Sequence, residues 1–231
     1  MNIGQAFAYV FEDDEWITKI LIAAAIILVG ILLAIFIIPA FLAGFLLGGY
    51  GVEITRRVIR GQSPVLPKWD NWGDLLIDGV KAWVIGIIYW LPVILVGLCM
   101  GPVIAVLGEN SEALSATAST LLSCLNLLWG IVAGLLLPAA IAIFVANDDV
   151  SAAFRFGDVF ALVRDNFSTY LIVLVIGWVT GFIGGLGLLV CGVGVLVTGP
   201  YAGWVTAHLR GQAYLQAAGQ APQSALEESL A

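Results

Sequence analysis

Along the chain, apolar residues arrive in four unbroken blocks, 17–52, 82–107, 121–146 and 170–209, separated by shorter stretches where acidic and basic side chains concentrate. Each block meets or exceeds the ~20 residues that carry an α-helix across a bilayer. As one straight helix the first block would be about 50 Å long, against a hydrocarbon core of about 30 Å. Pro39, which has no backbone N–H, sits near its middle and predicts a break there. The block therefore reads as two spans, 17–36 and 40–57, joined by a tight turn. Gly181, Gly184, Gly185, Gly187, Gly192 and Gly194 weaken the centre of the last block, which reads as a second hairpin of 170–188 and 192–209. Between the two middle blocks, the polar stretch 108–119 with Glu109 and Glu112 predicts the connection of a third hairpin. The expected fold is an all-α polytopic membrane helix bundle of six spans arranged as three hairpins. A five-span alternative keeps the first block as one kinked helix.

Each hairpin is preceded by a segment with its own helical amphipathicity. Residues 2–15 place Ile3, Phe7, Val10 and Phe11 on one face. After Pro67, Trp69, Trp72, Leu76, Val80 and Trp83 share a face opposite Asp70, Asp74, Asp78 and Lys81. After Asn147, Ala153, Phe156, Phe160, Val163 and Phe167 align against Arg155, Asp158 and Asp165. Spacings of three and four residues mark a helix that buries one stripe. Such aromatic stripes suit helices lying in the headgroup plane, and equally suit lids packed over the cytoplasmic mouth of the bundle. The plan is three pseudo-repeats, about 1–62, 67–146 and 148–212, in one transmembrane domain over 1–211, with 212–231 as a flexible tail. A short echo accompanies it: Gly49-Tyr50 leads to Arg60-Gly61-Gln62, and Gly199-Pro200-Tyr201 leads to Arg210-Gly211-Gln212.

Composition sets the solvent and the partners. With 61% hydrophobic and 11% charged residues, and a mean hydropathy of +1.04, the chain carries more apolar surface than a soluble domain of this size buries. Lipid is the expected environment. Six spans put Lys19, Arg56, Arg57, Arg60, Lys68, Lys81, Arg155, Arg164 and Arg210 on the side of both termini, which predicts a multi-pass protein of the inner (plasma) membrane with cytoplasmic termini. Glu12, Asp13, Asp14 and Glu15 stand where a secretory signal peptide needs positive charge, so the first apolar block is expected to stay in the mature protein. A net charge of −7 with nine Lys and Arg excludes nucleic acid as a partner. Cys99, Cys124 and Cys191 lie in apolar stretches without paired spacing and read as small buried hydrophobes.

Several runs carry a family resemblance. They are Asp14-Glu15-Trp16; Gly49-Tyr50 followed by Arg56-Arg57-Val58-Ile59-Arg60-Gly61; and Leu66-Pro67-Lys68-Trp69-Asp70-Asn71-Trp72-Gly73-Asp74, continuing to Asp78-Gly79-Val80-Lys81 and Ile88-Tyr89-Trp90-Leu91-Pro92. Ala152-Ala153-Phe154-Arg155-Phe156 and Asp165-Asn166-Phe167 fit the same pattern. In these the chain resembles a family of prokaryotic membrane proteins that is a domain of unknown function, number four-zero-one-three. The resemblance extends to about Tyr214 and implies a bacterial or archaeal source and a compact helical membrane domain. It implies no activity.

The search for chemistry finds little that is polar inside the spans, where ionisable groups usually mark ion paths or proton relays. Asn126 is the clearest intramembrane polar side chain, with an interhelical hydrogen bond as its expected role. Glu53 precedes Arg56 and Arg57 at pairing distance on a helix. His208 is the single histidine, too few for a His-based zinc cage. Glycines four apart, Gly44 with Gly48 and Gly177 with Gly181 and Gly185 foremost, predict close helix packing. Trp69, Trp72, Trp83, Phe156 and Phe160 are the interfacial or partner-contact residues. No catalytic, cofactor or metal site is expected. The reading is a non-catalytic membrane module, a scaffold, assembly factor or accessory subunit, with lipid and other membrane proteins or further copies of itself as partners. The alternative is a transport protein for a small neutral or apolar molecule or a lipid.

Overall fold

The fold, a computed structural model, is described for residues 1–33, 37–189 and 192–219, the side chains of residues 37–40 and of Asn110 excepted. It is helical throughout these residues: α1 (Ile3–Ala8), α2 (Trp16–Leu32), α3 (Ile37–Arg60), α4 (Trp72–Asn110), α5 (Glu112–Asn147), α6 (Phe156–Asp165), α7 (Phe167–Leu186) and α8 (Val195–Ala217). Two 3-10 turns, Val150–Phe154 and Gly187–Leu189, lead into α6 and out of α7. Three apolar stretches, Trp72–Glu109, Glu112–Asn147 and Phe167–Leu189, are long enough to cross a membrane, and Trp16–Leu32 is a shorter apolar helix. None of the most apolar window of α4 is buried against protein. Unburied apolar surface on that scale requires an apolar solvent, which makes this a membrane protein.

α3 is the helix around which the others are arranged, packing on α2, α4 and α8. Its crossing with α4 brings backbone against backbone. A Cβ added to Gly49 would stand 1.7 Å from the Leu75 carbonyl oxygen, and one added to Gly79 would stand 1.8 Å from that of Phe45. No other residue fits at either point. Against α8, Gly211 meets the Val58 side chain, where an added Cβ would come within 2.7 Å. Beside it Thr55 Oγ1 donates both to Gly51 O in its own helix and to Ala207 O across the interface, each at 3.0 Å. α7 and α8 are joined through glycine as well: Gly187 and Gly194 touch, Gly192 takes a positive φ of 76°, and Thr198 Oγ1 donates to Gly184 O at 2.8 Å.

Several expectations change. The connection placed at 108–119 is a single residue, Ser111, which ends α4 by donating to Leu107 O and caps α5 by accepting from Leu114 N. The polar run stays helical because Thr117, Thr120 and Ser123 each donate to the carbonyl four residues back, so their hydroxyls need no loop. Pro39 lies in the first turn of α3 rather than between helices, a position where its missing N–H has no helical partner to lose. Residues 34–36, which connect α2 to α3, lie outside the described residues. The tryptophan segment is no separate surface helix but the opening of α4, which continues unbroken for 39 residues, about 58 Å. α6 is a separate helix of ten residues, whereas α1 is a single short stretch of six residues. α8 runs to Ala217, so 212–217 is not tail; Asn2 N donates to Gln212 Oε1 at 2.9 Å. The remaining part, 220–231, lies outside the described residues.

The glycine ladder is also revised. Gly44 and Gly48 pack against the Trp83 indole, at 3.1 and 3.6 Å from an added Cβ, but Gly177, Gly181 and Gly185 have nothing within 4 Å. Four-residue spacing marks one helix face without saying whether a neighbour lies against it. Cys99 and Cys124 are free and exposed on outer faces rather than buried, and Cys191 lies outside the described residues. Gly79→Ala is therefore expected to lower stability by about 1–3 kcal/mol or more, because the methyl group displaces α3. Gly181→Ala should leave stability unchanged or raise it by about 0.5–1 kcal/mol, since it only reduces backbone freedom. Thermal unfolding of both variants in the same detergent checks the contrast.

Candidate functional site

A cluster of charged residues forms at one end of the bundle because the α3–α4 crossing places the last turns of α3 beside the first turns of α4. Arg56 is the hub. Its Nη1 donates to Glu53 Oε2 at 2.6 Å and its Nη2 to Asp78 Oδ2 at 2.7 Å, with Asp148 Oδ1 at 3.6 Å. Arg57 Nε donates to Glu53 Oε1 at 3.1 Å, Arg60 to Asp148 at 3.0 Å, and Lys81 to the other oxygen of Asp78 at 3.4 Å. These residues, with Lys68 and Asp74, line a polar cleft of about 480 Å³. Asp78 is only 8% exposed, so the reading of Asp70, Asp74 and Asp78 as one solvated face holds for the first two alone. Asp148 reaches the cluster from the end of α5, where it takes a left-handed φ of 50°.

Beside this rim an aromatic cluster closes the bundle mouth. Tyr50 stacks on Trp69 at 4.2 Å between ring centroids and lies 5.0 Å from Trp204; its hydroxyl donates to Pro67 O at 2.8 Å. Tyr9 stacks on His208 at 4.3 Å and donates to Trp204 O at 2.9 Å. Burial pushes the Tyr9 hydroxyl well above its ordinary pKa, so it remains a donor across the working pH range. Lys19, 4% exposed, bonds Asp13 at 2.6 Å and Leu66 O at 3.2 Å, and Trp69 Nε1 donates to Lys19 O. The N-terminal segment, α2 and the 61–71 connection are thus pinned to one another.

The expected contact residues divide. Trp69 is turned into the protein's own mouth. Trp72 is exposed, with its ring 5.4 Å from that of Trp69. Trp83 lies against α3, touching Gly44 and the rings of Phe41 and Phe45, with one side still open. On α6, Val159 and Val163 are buried while Phe156 and Phe160 are more than half exposed, so the aromatic stripe is the outward edge of that helix. Phe156 touches the Tyr89 ring at 5.5 Å, and Tyr89 in turn donates to Ala153 O at 2.9 Å.

A second cleft, apolar, of about 510 Å³, lies between α4, α5, α7 and α8. Asn126, Trp90, Gly134, Gly177, Thr206 and Arg210 are among its lining residues. The interhelical hydrogen bond expected of Asn126 is not formed by its buried Oδ1, which has no partner. On that side of α5 the neighbours are apolar: Leu174 lies against Gly134, 2.5 Å from an added Cβ, and the Trp90 indole lies near Gly130, at 3.8 Å. Arg210 Nε is buried and without a partner as well. Thr206 is satisfied by Ala202 O and by Thr180.

Apolar transmembrane-length helices around a charged rim and an apolar cleft define a multi-helix membrane protein. The family described as a protein of unknown function, DUF4013, matches residues 32–193, and the chain belongs to it. The match takes in α3 to α7, the rim and most of the apolar cleft, and leaves Asp14-Glu15-Trp16 and α8 outside. No curated protein and no solved structure matches the chain.

Sequence reasoning missed Arg210, Lys19 and the pair Gly49 and Gly79. Arg210 looked like one more positive residue at a helix exit, yet Trp204, Val205, Ala207 and Leu209 precede it and Ala213 follows, all buried. A lone charge inside that apolar run was the available signal. At the rim, Asp78→Asn is expected to lower stability by about 1–3 kcal/mol, because Arg56 keeps Glu53 but loses a charged acceptor at a half-buried site. Asp74→Ala should stay within about 0.5 kcal/mol of the parent. Chemical denaturation of the two variants in one detergent measures the difference.

Proposed function

We propose that this protein is a non-catalytic membrane module, a scaffold, assembly factor or accessory subunit of a membrane complex, built as six spans in three hairpins with both termini in the cytoplasm. α2 with α3, α4 with α5 and α7 with α8 are the three hairpins of this reading. The orientation follows from the collection of Lys and Arg at one end, since short positively charged loops stay cytoplasmic. The observation that supports a partner-binding role is the exposure of three aromatic side chains, Trp72 at the start of α4 and Phe156 and Phe160 on α6, in a chain whose Arg56 cluster is paired internally. Exposed aromatic side chains are enriched at contact surfaces.

A second reading, passage of a small neutral or apolar molecule or a lipid, is favoured by the apolar cleft that reaches Asn126. Vesicles containing the protein that exchange a fluorescent lipid faster than protein-free vesicles would select this reading over the scaffold.

Orientation is tested with Ser111→Cys and Ser151→Cys in a background where Cys99, Cys124 and Cys191 are serine. An impermeant thiol reagent should reach the first only from outside and the second only from inside; the reverse pattern rejects the arrangement. The contact role is tested with Trp72→Glu. Its side chain is already exposed, so stability in detergent should match the parent, while the particle extracted from native membrane should shrink toward the mass of one chain. An unchanged particle, or a collapse in stability, counts against the contact surface.

A further inference from the structure

The apolar cleft holds a charge that the protein does not neutralise. Among the described residues Arg210 has no ion-pair partner, its Nε is buried and lacks any acceptor, and its side chain lines the cleft. A cation in an apolar setting is strongly unfavourable unless paired. Five other cations show the contrast: Lys19, Arg56, Arg57, Arg60 and Lys81 each stand within 3.4 Å of a carboxylate oxygen.

The shape of the space says what accompanies that charge. Its lining runs along α5 from Asn126 to Pro138, twelve residues or about 18 Å at helical rise. That is close to the ~15 Å of one leaflet's hydrocarbon. The walls are Leu127, Ile131, Leu137, Val173 and Leu174 with the indoles of Trp90 and Trp178. Leu127 and Trp178 are more than half exposed, so the cleft opens sideways toward acyl chains. At about 510 Å³ it has the size of a small-molecule site.

We infer that this cleft binds a single-chain anionic amphiphile, a long-chain carboxylate that enters from the bilayer, lays its chain along α5 and places its oxyanion on the Arg210 guanidinium. An added Cβ would meet nothing within 4 Å at Gly177 and only the Trp90 indole, at 3.8 Å, at Gly130, so these two glycines leave room for the chain, whereas Gly134 seats the Leu174 side chain. The site is independent of whether the protein assembles a complex or moves a molecule.

The test uses the full chain purified in an uncharged detergent, with radiolabelled palmitate as probe. The parent should bind palmitate saturably, one per chain, and hexadecanol at least about tenfold more weakly, as expected when a buried charge loses its counter-ion. Arg210→Gln should weaken palmitate binding by about tenfold or more, while Arg210→Lys, which keeps the charge, should retain most of it. Gly177→Leu, which fills the cleft and leaves the charge, should abolish binding. Arg164→Gln, exposed and remote, should bind as the parent does. Equal affinity for palmitate and hexadecanol, or unimpaired binding by Gly177→Leu, overturns the proposal. If Arg210→Gln does not fold, the Gly177→Leu result and a palmitate-dependent rise in the parent's melting temperature decide. Phosphatidylglycerol is the competitor that separates the sources: displacement of palmitate by it at lower concentration than by palmitate itself would make a two-chain lipid headgroup the occupant and overturn the single-chain assignment.

Discussion

Everything at the charged end of this protein depends on how closely α3 and α4 cross. Gly49 against Leu75 and Gly79 against Phe45 are reciprocal contacts, each helix offering a glycine to the other's carbonyl. In a lipid environment there is no hydrophobic force to drive two helices together, so close van der Waals approach of backbones supplies the attraction. The same approach sets the reach between α3 and α4 side chains. Arg56 finds Asp78 at 2.7 Å because Asp78 immediately precedes the contact glycine of α4. The tyrosine that follows Gly49 is carried to the Trp69 ring. Packing, ion pairing and the aromatic closure of the mouth are three consequences of one crossing.

The overall helical character and the four apolar blocks were legible in the sequence because a helix in lipid must satisfy its own backbone and shows this as long apolar runs. Glu53 with Arg56 and Arg57 was legible for a related reason: i, i+3 and i, i+4 neighbours meet in any helix. What escaped was information that belongs to pairs of helices. Gly177, Gly181 and Gly185 have the spacing of a packing face and no neighbour on it, whereas Gly49 and Gly79 have no ladder and touch backbone. The connection at 108–119 was misread because serine and threonine bonded to carbonyls of their own helix look, in a sequence, like serine and threonine in a loop. Asp78 looked like its neighbours Asp70 and Asp74 until the position of Arg56 was known. Arg210 was counted with the positive residues of the cytoplasmic side, and its lack of a partner is a three-dimensional fact.

The two clefts are built by opposite electrostatic means. Around Arg56, cations and carboxylates alternate, and Arg56, Arg57, Arg60 and Lys81 are each met by a carboxylate of the protein. Around Arg210 the walls are apolar and the charge is met by nothing among the described residues. Buried pairs of the first kind favour a defined arrangement of helices over added stability. An isolated charge of the second kind detracts from stability unless a ligand brings the counter-ion.

The docking of the N-terminal segment carries a consequence for biosynthesis. Tyr9 reaches its hydrogen-bond acceptor, Trp204 O, across 195 residues of chain, and its stacking partner His208 lies further still. During translation those groups do not yet exist when the first helices enter the bilayer. The contacts of Tyr9 with α8 can therefore form only after the nearly two hundred intervening residues have been synthesised, so the opening segment docks late rather than as it emerges.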